Sequence, residues 1–384
     1  MKIFHTGDWH IGKLVNNFYM TEDQEYILNQ LFEAIEREKP DCLIIAGDIY
    51  DRAIPPVEAV ELLDKTLNKI IFELKTPVLA IAGNHDSNER VGFGNKLYES
   101  AGFFINGELK EKVKKVTLED KDGRVNFYLI PYADPYYVRQ LYNDDEIKTH
   151  EDAIRKTIEK IDLNKDERNV AIFHGYVCKG TEKIIESDSE KRLSIGGTDL
   201  INSEVFKDFD YVALGHIHRR QMVDGDRIRY AGSLMKYSFS EMNNKVGVTS
   251  ITLNKDKSLE VDYIPFSLMR DFRELKGDLS VLISNDFSKM QKKDDYIKVV
   301  LTDEKEVLEP MQRLRAIYPN IMDLKNENKL KDLNLEEAEV EKLKEKTPLE
   351  LTCDFFKAIR EVEISEDELA LVKEVLEEVK RGEK

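Results

Sequence analysis

Residues 42–51 read CLIIAGDIYD. Cys42–Ala46 is an uninterrupted apolar run of strand length, the pattern of a strand buried on both faces. The polar cluster Gly47-Asp48-Ile49-Tyr50-Asp51 follows at its carboxyl end. The same grammar recurs on either side. Ile3–Thr6 reads as a short strand running into Asp8-Trp9-His10, and Val78–Ala82 (VLAIA) runs into Gly83-Asn84-His85-Asp86. Between them, Thr21-x-x-Gln24 reads as a capping box that opens a helix to about Glu38. Pro55-Pro56 starts a second helix to about Leu74. This β-α-β-α-β rhythm predicts parallel strands covered by helices.

Further along, Val125–Ile130, Val170–Phe173 (VAIF) and Tyr211–Leu214 (YVAL) predict strands, and Glu146–Ile161 a helix. From Arg219 to Ile264 the pattern turns to hairpins: RRQMV, RIRYAG, VGVTSITL and LEVDYIPF. The expected core, residues 1–265, is therefore α/β (α+β) in four layers, a two-sheet β-sandwich flanked by helices. Residues 266–325 predict a small α/β capping domain, with Tyr296–Leu301 (YIKVVL) its clearest strand. Residues 326–346 are polar and linker-like. Residues 347–384 predict a C-terminal helix pair, started by Thr347-Pro348-Leu349-Glu350 and by Ser365-Glu366-Asp367-Glu368.

The chain has 384 residues, 75 of them acidic against 58 basic, a net charge of −17. That balance argues against a protein that coats nucleic acid through phosphate contacts alone. It leaves open a site that grips phosphate through metal ions, because the ions supply the positive charge. Three scattered cysteines, Cys42, Cys178 and Cys353, point to a reducing cytoplasm rather than a disulfide framework. The opening MKIFHTGDWHIG lacks the apolar core of a secretion signal, and no apolar run nears the roughly 18 residues of a membrane span. A cytoplasmic protein with no membrane attachment is expected.

Five clusters share one placement, at the carboxyl end of a predicted strand. They are Asp8-Trp9-His10, Gly47–Asp51, Gly83–Asp86, His174-Gly175 and Gly215-His216-Ile217-His218. Ligands of open α/β sheets bind at that edge, so the five are expected to converge. Carboxylate, amide oxygen and imidazole without thiolate suit Mn²⁺ or Fe²⁺ and tolerate Zn²⁺. Two such ions about 4 Å apart clamp a phosphoryl displacement and need a bridging anion, for which Asp48 is placed. Asp8, His10 and one of His216 and His218 would complete one ion, and Asn84, His174 and the other histidine the second. His5, inside a strand, reads as structural, and His150, in a charged helix, as solvated surface.

The ordered set D-x-H, G-D-x-x-D, G-N-H-D, H, G-H-x-H resembles the calcineurin-like dimetal phosphoesterase superfamily. The segments HTGDWHIGK, GNHDSNERV and YAGSLMKYSFSE (Tyr230–Glu241) resemble the SbcD nucleases, bacterial counterparts of the Mre-type nuclease of double-strand-break repair. The resemblance covers the chain strongly to about residue 265. It implies an Mn²⁺-dependent hydrolase with single-strand endonuclease and double-strand 3′→5′ exonuclease activity. It also implies a homodimer bound to an SbcC/Rad-type SMC-like ATPase. On matching motifs it implies that Asp8, His10, Asp48 and His218 hold the first ion, and Asp48, Asn84, His174 and His216 the second, with Fe, Zn or Mg as other metals. His85 matches the family's catalytic histidine, and Asp51 stands where many relatives carry His, placed to orient His85 or hold it protonated.

Lys13, Arg90, Arg219 and Arg220 lie near these clusters in sequence and are candidate DNA contacts. The terminal helices carry Phe355, Phe356, Ile359, Leu369, Val372 and Leu376 at amphipathic spacing, a candidate docking face for the ATPase. Helices over residues 56–74 and 90–101 are candidates for a dimer interface. The competing readings are a dimetal enzyme acting on a small phosphate ester, cyclic nucleotide or phosphoprotein, and a non-catalytic scaffold on the same fold.

Overall fold

The computed structural model describes residues 1–180, 184–190, 199–305 and 307–327, and beyond these only Ile364, Glu368, Leu369 and Val372. By proximity the chain divides into two units. One comprises Met1–Glu274, Lys292–Lys298 and Tyr318–Asp323; the other comprises Leu275–Gln291, Val299–Ile317 and residues from Leu324 onward.

The first unit is built on two six-stranded sheets. In chain order its strands are β1 (Lys2–Thr6), β2 (Cys42–Ala46), β3 (Val78–Ile81), β4 (Phe103–Asn106), β5 (Lys114–Asp120), β6 (Gly123–Ile130), β7 (Arg168–His174), β8 (Tyr211–Gly215), β9 (Gln221–Asp224), β10 (Ile228–Tyr230), β11 (Gly247–Leu253) and β12 (Leu259–Pro265). One sheet has the order β12-β11-β1-β2-β3-β4 and the other β9-β10-β8-β7-β6-β5. Strands β1 to β4 run parallel, as do β6, β7, β8 and β10. The outer strands β5, β9, β11 and β12 pair antiparallel.

Three apolar layers explain the arrangement. Ile3, Ile44, Leu79 and Ile251 of one sheet meet Phe127, Val170, Ile172 and Ala213 of the other, so the facing sides form a dry interior. The outer face of the first sheet is covered by α1 (Thr21–Glu38) and α2 (Val57–Asn68). Helix α1 buries Ile27, Leu28, Leu31, Phe32 and Ile35, one face at helical spacing. The outer face of the second sheet is covered by α3 (Pro135–Tyr142) and α4 (His150–Glu159). The four-layer sandwich expected from the strand pattern is the observed architecture.

Several local expectations are corrected. Thr21 is not a cap: the position before the helix is Met20, with no side-chain cap bond, and Gln24 is engaged elsewhere. The helix after Pro55-Pro56 has the expected extent, but it leaves α geometry at Asn68 and continues as a π-turn over Lys69–Glu73, which buries Ile70 and Ile71. Helix α4 begins at His150 rather than Glu146, because Thr149 and Asp152 form a capping box there. His150 is buried rather than solvated, its ring stacked on Tyr132. Strands β4 and β5 were not expected; β5 alternates exposure along an edge and carries no continuous apolar run.

Between the sheets, His5 accepts from the Tyr211 hydroxyl through Nδ1 (2.8 Å) and donates through Nε2 to the Leu214 carbonyl (3.2 Å). Burial, with the Arg229 charge, pushes its basicity down to about 3. The unfolded chain therefore binds this proton more readily than the folded one. The stability that His5 contributes is present above pH 6.5 and is lost as pH falls toward 3, by a few kcal/mol at most. A His5→Gln variant is expected to show a flatter acid limb in chemical denaturation between pH 7 and 4. Parallel wild-type and variant curves would contradict this.

Residues 272–326 contain a three-stranded sheet, β13 (Phe272–Gly277), β14 (Tyr296–Leu301) and β15 (Ile321–Asn326), with β14 central. Short helices at Leu279–Leu282, Asn285–Lys289 and Pro310–Arg315 lie between the strands.

Candidate dimetal centre

The parallel strands end at one edge of each sheet, and the two edges meet. Gly7, after β1, bridges to Ser233, after β10. The loops after β1 and β2 then run side by side: Asp8 N donates to Gly47 O, His10 N to Asp48 O and Ile11 N to Ile49 O, all within 3.0 Å. Gln24 ties this pair to α1. Its amide accepts from Gly12 N (3.0 Å) and donates to His10 O (2.7 Å) and Trp9 O (3.3 Å). Tyr237 also donates its hydroxyl to Trp9 O.

Four residues in these loops hold positive φ without being glycine: Asp8 (54°), His10 (44°), Asp48 (50°) and His216 (104°). Each such conformation costs about 1 kcal/mol or more, and the surrounding bonds impose it on four of the expected ligands. Asp86 fastens the next loop. It accepts from Gly83 N, Ile49 N and Tyr50 N, at 2.9, 3.1 and 2.9 Å, so the third strand end is pinned to the second. Gly83 sits so close that a Cβ would lie 2.1 Å from Asp48 Oδ1.

The side chains converge around Asp48. Its Oδ2 lies 3.6 Å from His10 Nε2, 3.5 Å from His174 Nε2 and 4.0 Å from His85 Nε2. On one side, Asp8, His10 and His218 bring ligand atoms within 4.8 Å of one another; on the other, Asp8, Asp48 and His174 do the same. Asn84 Oδ1 faces His174 Nε2 at 2.9 Å and His216 Nδ1 at 3.2 Å. Asp8, His10, Asp48, His174, His216 and His218 are all buried.

Hydrogen bonds behind the rings decide which nitrogens are bare. His174 Nδ1 donates to Ala46 O (2.8 Å), so its neutral ring turns a lone pair, not a proton, toward Asn84 Oδ1. His218 Nδ1 lies 3.0 Å from Glu241 Oε1 and 2.8 Å from Ser189 Oγ, and its Nε2 faces His10 Nε2 at 3.0 Å. Asp8 Oδ2 and His10 Nδ1 are buried without a hydrogen-bond partner among the described residues. Acceptors aimed at acceptors are what a cation-binding cage requires, so this donor set fits two divalent ions.

Protonation follows the same geometry. Burial, reinforced by the Asp48 charge, raises the Asp8 carboxyl, and the same two causes push Asp86 up to about 7. Burial depresses His10 and His216. Burial also acts to depress His218, yet Glu241, with Asp8 and Glu190, raises it to about 9. Cations in the cage would reverse the shifts of Asp8 and His218 and reinforce those of His10 and His216, holding carboxylates ionised and imidazoles deprotonated.

His85 stands at the mouth, half-buried, its ring edge-on to His10. Asp51 acts on it differently from expectation. The Asp51 backbone carbonyl accepts from His85 Nδ1 (2.8 Å), while the Asp51 carboxylate takes Lys13 Nζ (2.6 Å) and lies 3.8 Å from His10 Nδ1. Lys13 is therefore paired and largely covered rather than free for a DNA phosphate. Arg220 lies against the Tyr263 ring, 4.4 Å from its centroid, with its Nε buried rather than turned to the surface. Arg90 and Arg219 are exposed. Of the expected partner-binding residues, Leu369 and Val372 are helical, and Phe355, Phe356, Ile359 and Leu376 lie outside the described residues.

Sequence reading missed the supports. Gln24, Asp86, Glu190 and Glu241 hold the ligand loops from distant positions. Glu241 is fully buried, accepts from Tyr237 N (2.9 Å) and backs His218; Glu190 accepts the His218 backbone N–H (2.6 Å). Asp86 closes G-N-H-D, Gln24 lies in T-x-x-Q and Glu241 closes YAGSLMKYSFSE, but none of these motifs signals the supporting role, and Glu190 lies in no motif.

A family model described as calcineurin-like phosphoesterase matches residues 1–220. Another, described as type 5 capsule protein repressor C-terminal domain, matches residues 269–360. The SbcD subunit of nuclease SbcCD from Staphylococcus epidermidis is 33% identical over 376 residues, covering 98% of this chain and 98% of that protein. Among solved structures, a dimetal phosphatase from Danio rerio aligns with 70% of this chain and 99% of its own, at 12% identity and a TM-score of 0.38. A protein of Thermus thermophilus aligns with 68% and 98%, at 12% identity and a TM-score of 0.37. With a family match over more than half its length and a full-length relative at that identity, the chain belongs to the calcineurin-like phosphoesterases and, within them, to the SbcD nuclease subunits.

Proposed function

We propose that this chain is the nuclease subunit of an SbcCD-type complex, hydrolysing DNA phosphodiesters as an Mn²⁺-dependent single-strand endonuclease and double-strand 3′→5′ exonuclease in the repair of broken ends. The observation that carries the reading is the cage itself, five strand-end loops meeting around Asp48 with bare acceptors turned inward. Asp8, His10, Asp48 and His218 would hold one ion, and Asp48, Asn84, His174 and His216 the other. Bound there, two divalent ions supply Lewis acidity to the phosphoryl oxygens and bring water to a nucleophilic state near neutral pH. The O/N donor set without thiolate favours Mn²⁺.

The chain's own groups do the rest. Asp48 and Asn84 fix the spacing of the two ligand halves. With Nδ1 held by the Asp51 carbonyl, His85 Nε2 is turned toward the cage, 4.0 Å from Asp48 Oδ2. From there it donates a proton to the departing sugar oxygen as the phosphorus–oxygen bond breaks, and lends a donor to the phosphoryl charge. Glu241 is a positioning residue, orienting the His218 ring. Glu241→Gln is expected to weaken Mn²⁺ binding about 10–100-fold, read by calorimetric titration of the metal-free chain. An unchanged Mn²⁺ affinity would remove Glu241 from this role.

We further infer a homodimer. Its support is the exposed apolar surface on and around α2 and residues 88–99, where Val57, Phe72, Phe93 and Leu97 are each more than half exposed. Residues 266–325 are assigned as a DNA-binding cap, and residues 347–384 as the dock for the SbcC/Rad-type ATPase, with the complex in the cytoplasm. Among the described residues no helix is long and apolar enough to cross a membrane.

The test is cleavage of end-labelled duplex and circular single-stranded DNA by the full chain, with Mn²⁺, Mg²⁺ or Zn²⁺, with and without the ATPase. Mn²⁺-dependent cleavage of both substrates is expected. Efficient turnover of phosphomonoesters or cyclic nucleotides with DNA left intact would establish the small-ester alternative instead.

A further inference from the structure

Away from the dimetal cage, a second polar group is buried at the open side of the sandwich, between β9–β10 and β11–β12. Arg229 on β10 is 4% exposed and lies in register with Ala213, whose side chain belongs to the interior between the sheets. Its one carboxylate partner among the described residues is Asp226, three residues back on the solvent side, at 3.1 Å. Arg220 packs its guanidinium on the Tyr263 ring and forms no ion pair among the described residues. The two guanidiniums lie within coulombic range of each other. Tyr263 pairs across β11–β12 with Thr249, and Thr249 across β1–β11 with His5, so these side chains share one inward face.

Seven buried side-chain polar atoms lack a hydrogen-bond partner among the described residues. Four of them are here: Arg220 Nε, Arg229 Nε, Thr249 Oγ1 and Tyr263 Oη. All four can donate, and the two arginine nitrogens can only donate. A buried guanidinium with an orphaned N–H and a single, half-exposed counter-charge is costly in isolation. What is missing is an acceptor carrying negative charge. Planar guanidiniums with hydroxyl donors beside them match the tetrahedral oxygens of a phosphate group. Arg220 and Tyr263 are each only half-buried.

We propose that Arg220, Arg229, Thr249 and Tyr263 form a binding site for a small phosphate-class oxyanion, separate from the dimetal cage. The anion is either inorganic phosphate or the phosphate of a mononucleotide. Arg220 follows His218 by two residues, and the His218 carbonyl accepts from Ser233 N just beyond β10 (3.0 Å), so an anion held here would fasten the strand ends behind a metal-ligand loop.

The experiment uses the full chain in EDTA and phosphate-free buffer, so that the cage holds no metal-borne phosphate. Inorganic phosphate, dAMP and ionic-strength-matched chloride are titrated while the unfolding midpoint and the binding heat are followed. Phosphate is expected to raise the midpoint saturably where chloride does not. Arg229→Met and Arg220→Met are each expected to weaken binding at least about 10-fold, and Tyr263→Phe by a smaller factor. Arg220→Met and Tyr263→Phe alter half-exposed residues and serve if Arg229→Met fails to fold. Tighter binding of dAMP than of phosphate identifies the nucleotide as the source, and equal binding identifies the free anion. A midpoint that rises no more in phosphate than in chloride would overturn the site. So would phosphate binding that survives unchanged in Arg220→Met and Tyr263→Phe.

Discussion

Asp48→Ala is expected to bind neither Mn²⁺ ion tightly and to lose at least about 1,000-fold in DNA cleavage. Asp48 Oδ2 faces His10 and His174 from between the two halves of the cage, at 3.6 and 3.5 Å. One residue removed is thus a ligand lost from both ions. Outer-shell partners of a metal typically cost about 10–100-fold in affinity when changed, and a shared inner ligand costs more. The variant is nonetheless expected to fold. In the metal-free chain Asp48 crowds Asp8 and Asp86, so its removal relieves like-charge repulsion among buried carboxylates. Mn²⁺ should therefore raise the unfolding midpoint of the wild type and leave that of Asp48→Ala where it was. Equilibrium dialysis that still finds two tightly bound Mn²⁺ ions in the variant would falsify the bridging role.

For His85→Ala the expectation is the opposite split, with both ions retained and turnover reduced about 100- to 10,000-fold. His85 offers its Nε2 at the mouth of the cage while Nδ1 is committed to the Asp51 carbonyl, so the ring can deliver a proton without serving as a ligand. The loss should shrink on an activated aryl phosphodiester, whose leaving oxygen departs without protonation. An equal loss on both substrates would point to a positional role instead, and wild-type cleavage of DNA would exclude His85 from the chemistry. Asp51→Ala is a useful companion. It keeps the carbonyl that holds His85 and removes the carboxylate that holds Lys13, so it separates the two functions of that residue.

The parts of the site that are legible in the sequence are those where chemistry follows directly after a buried strand. An apolar run such as CLIIA forces a strand covered on both faces, and polar residues at its end have only the sheet edge to occupy. That logic points to Asp8, His10, Asp48, Asn84, His174, His216 and His218 without any tertiary information. It fails for Gln24, where the T-x-x-Q spacing suggests a helix cap. The amide turns instead to Gly12, Trp9 and His10, since three buried backbone groups there need partners more than the helix start does. It fails for His150 as well, because charged neighbours in sequence say nothing about the Tyr132 ring that covers one face.

Layer order and the gathering of candidate metal-binding groups at one sheet edge are thus written in the chain itself, since both follow from short-range patterns of burial and side-chain chemistry. How those groups are held is settled by the folded arrangement alone. Asp86 fastens two loops, Glu241 backs His218 from twenty-three residues away, and the Asp51 carbonyl rather than its carboxylate steers His85. Such supports leave no periodic trace, because a hydrogen bond across the fold depends on where chains meet and not on their spacing along one strand or helix.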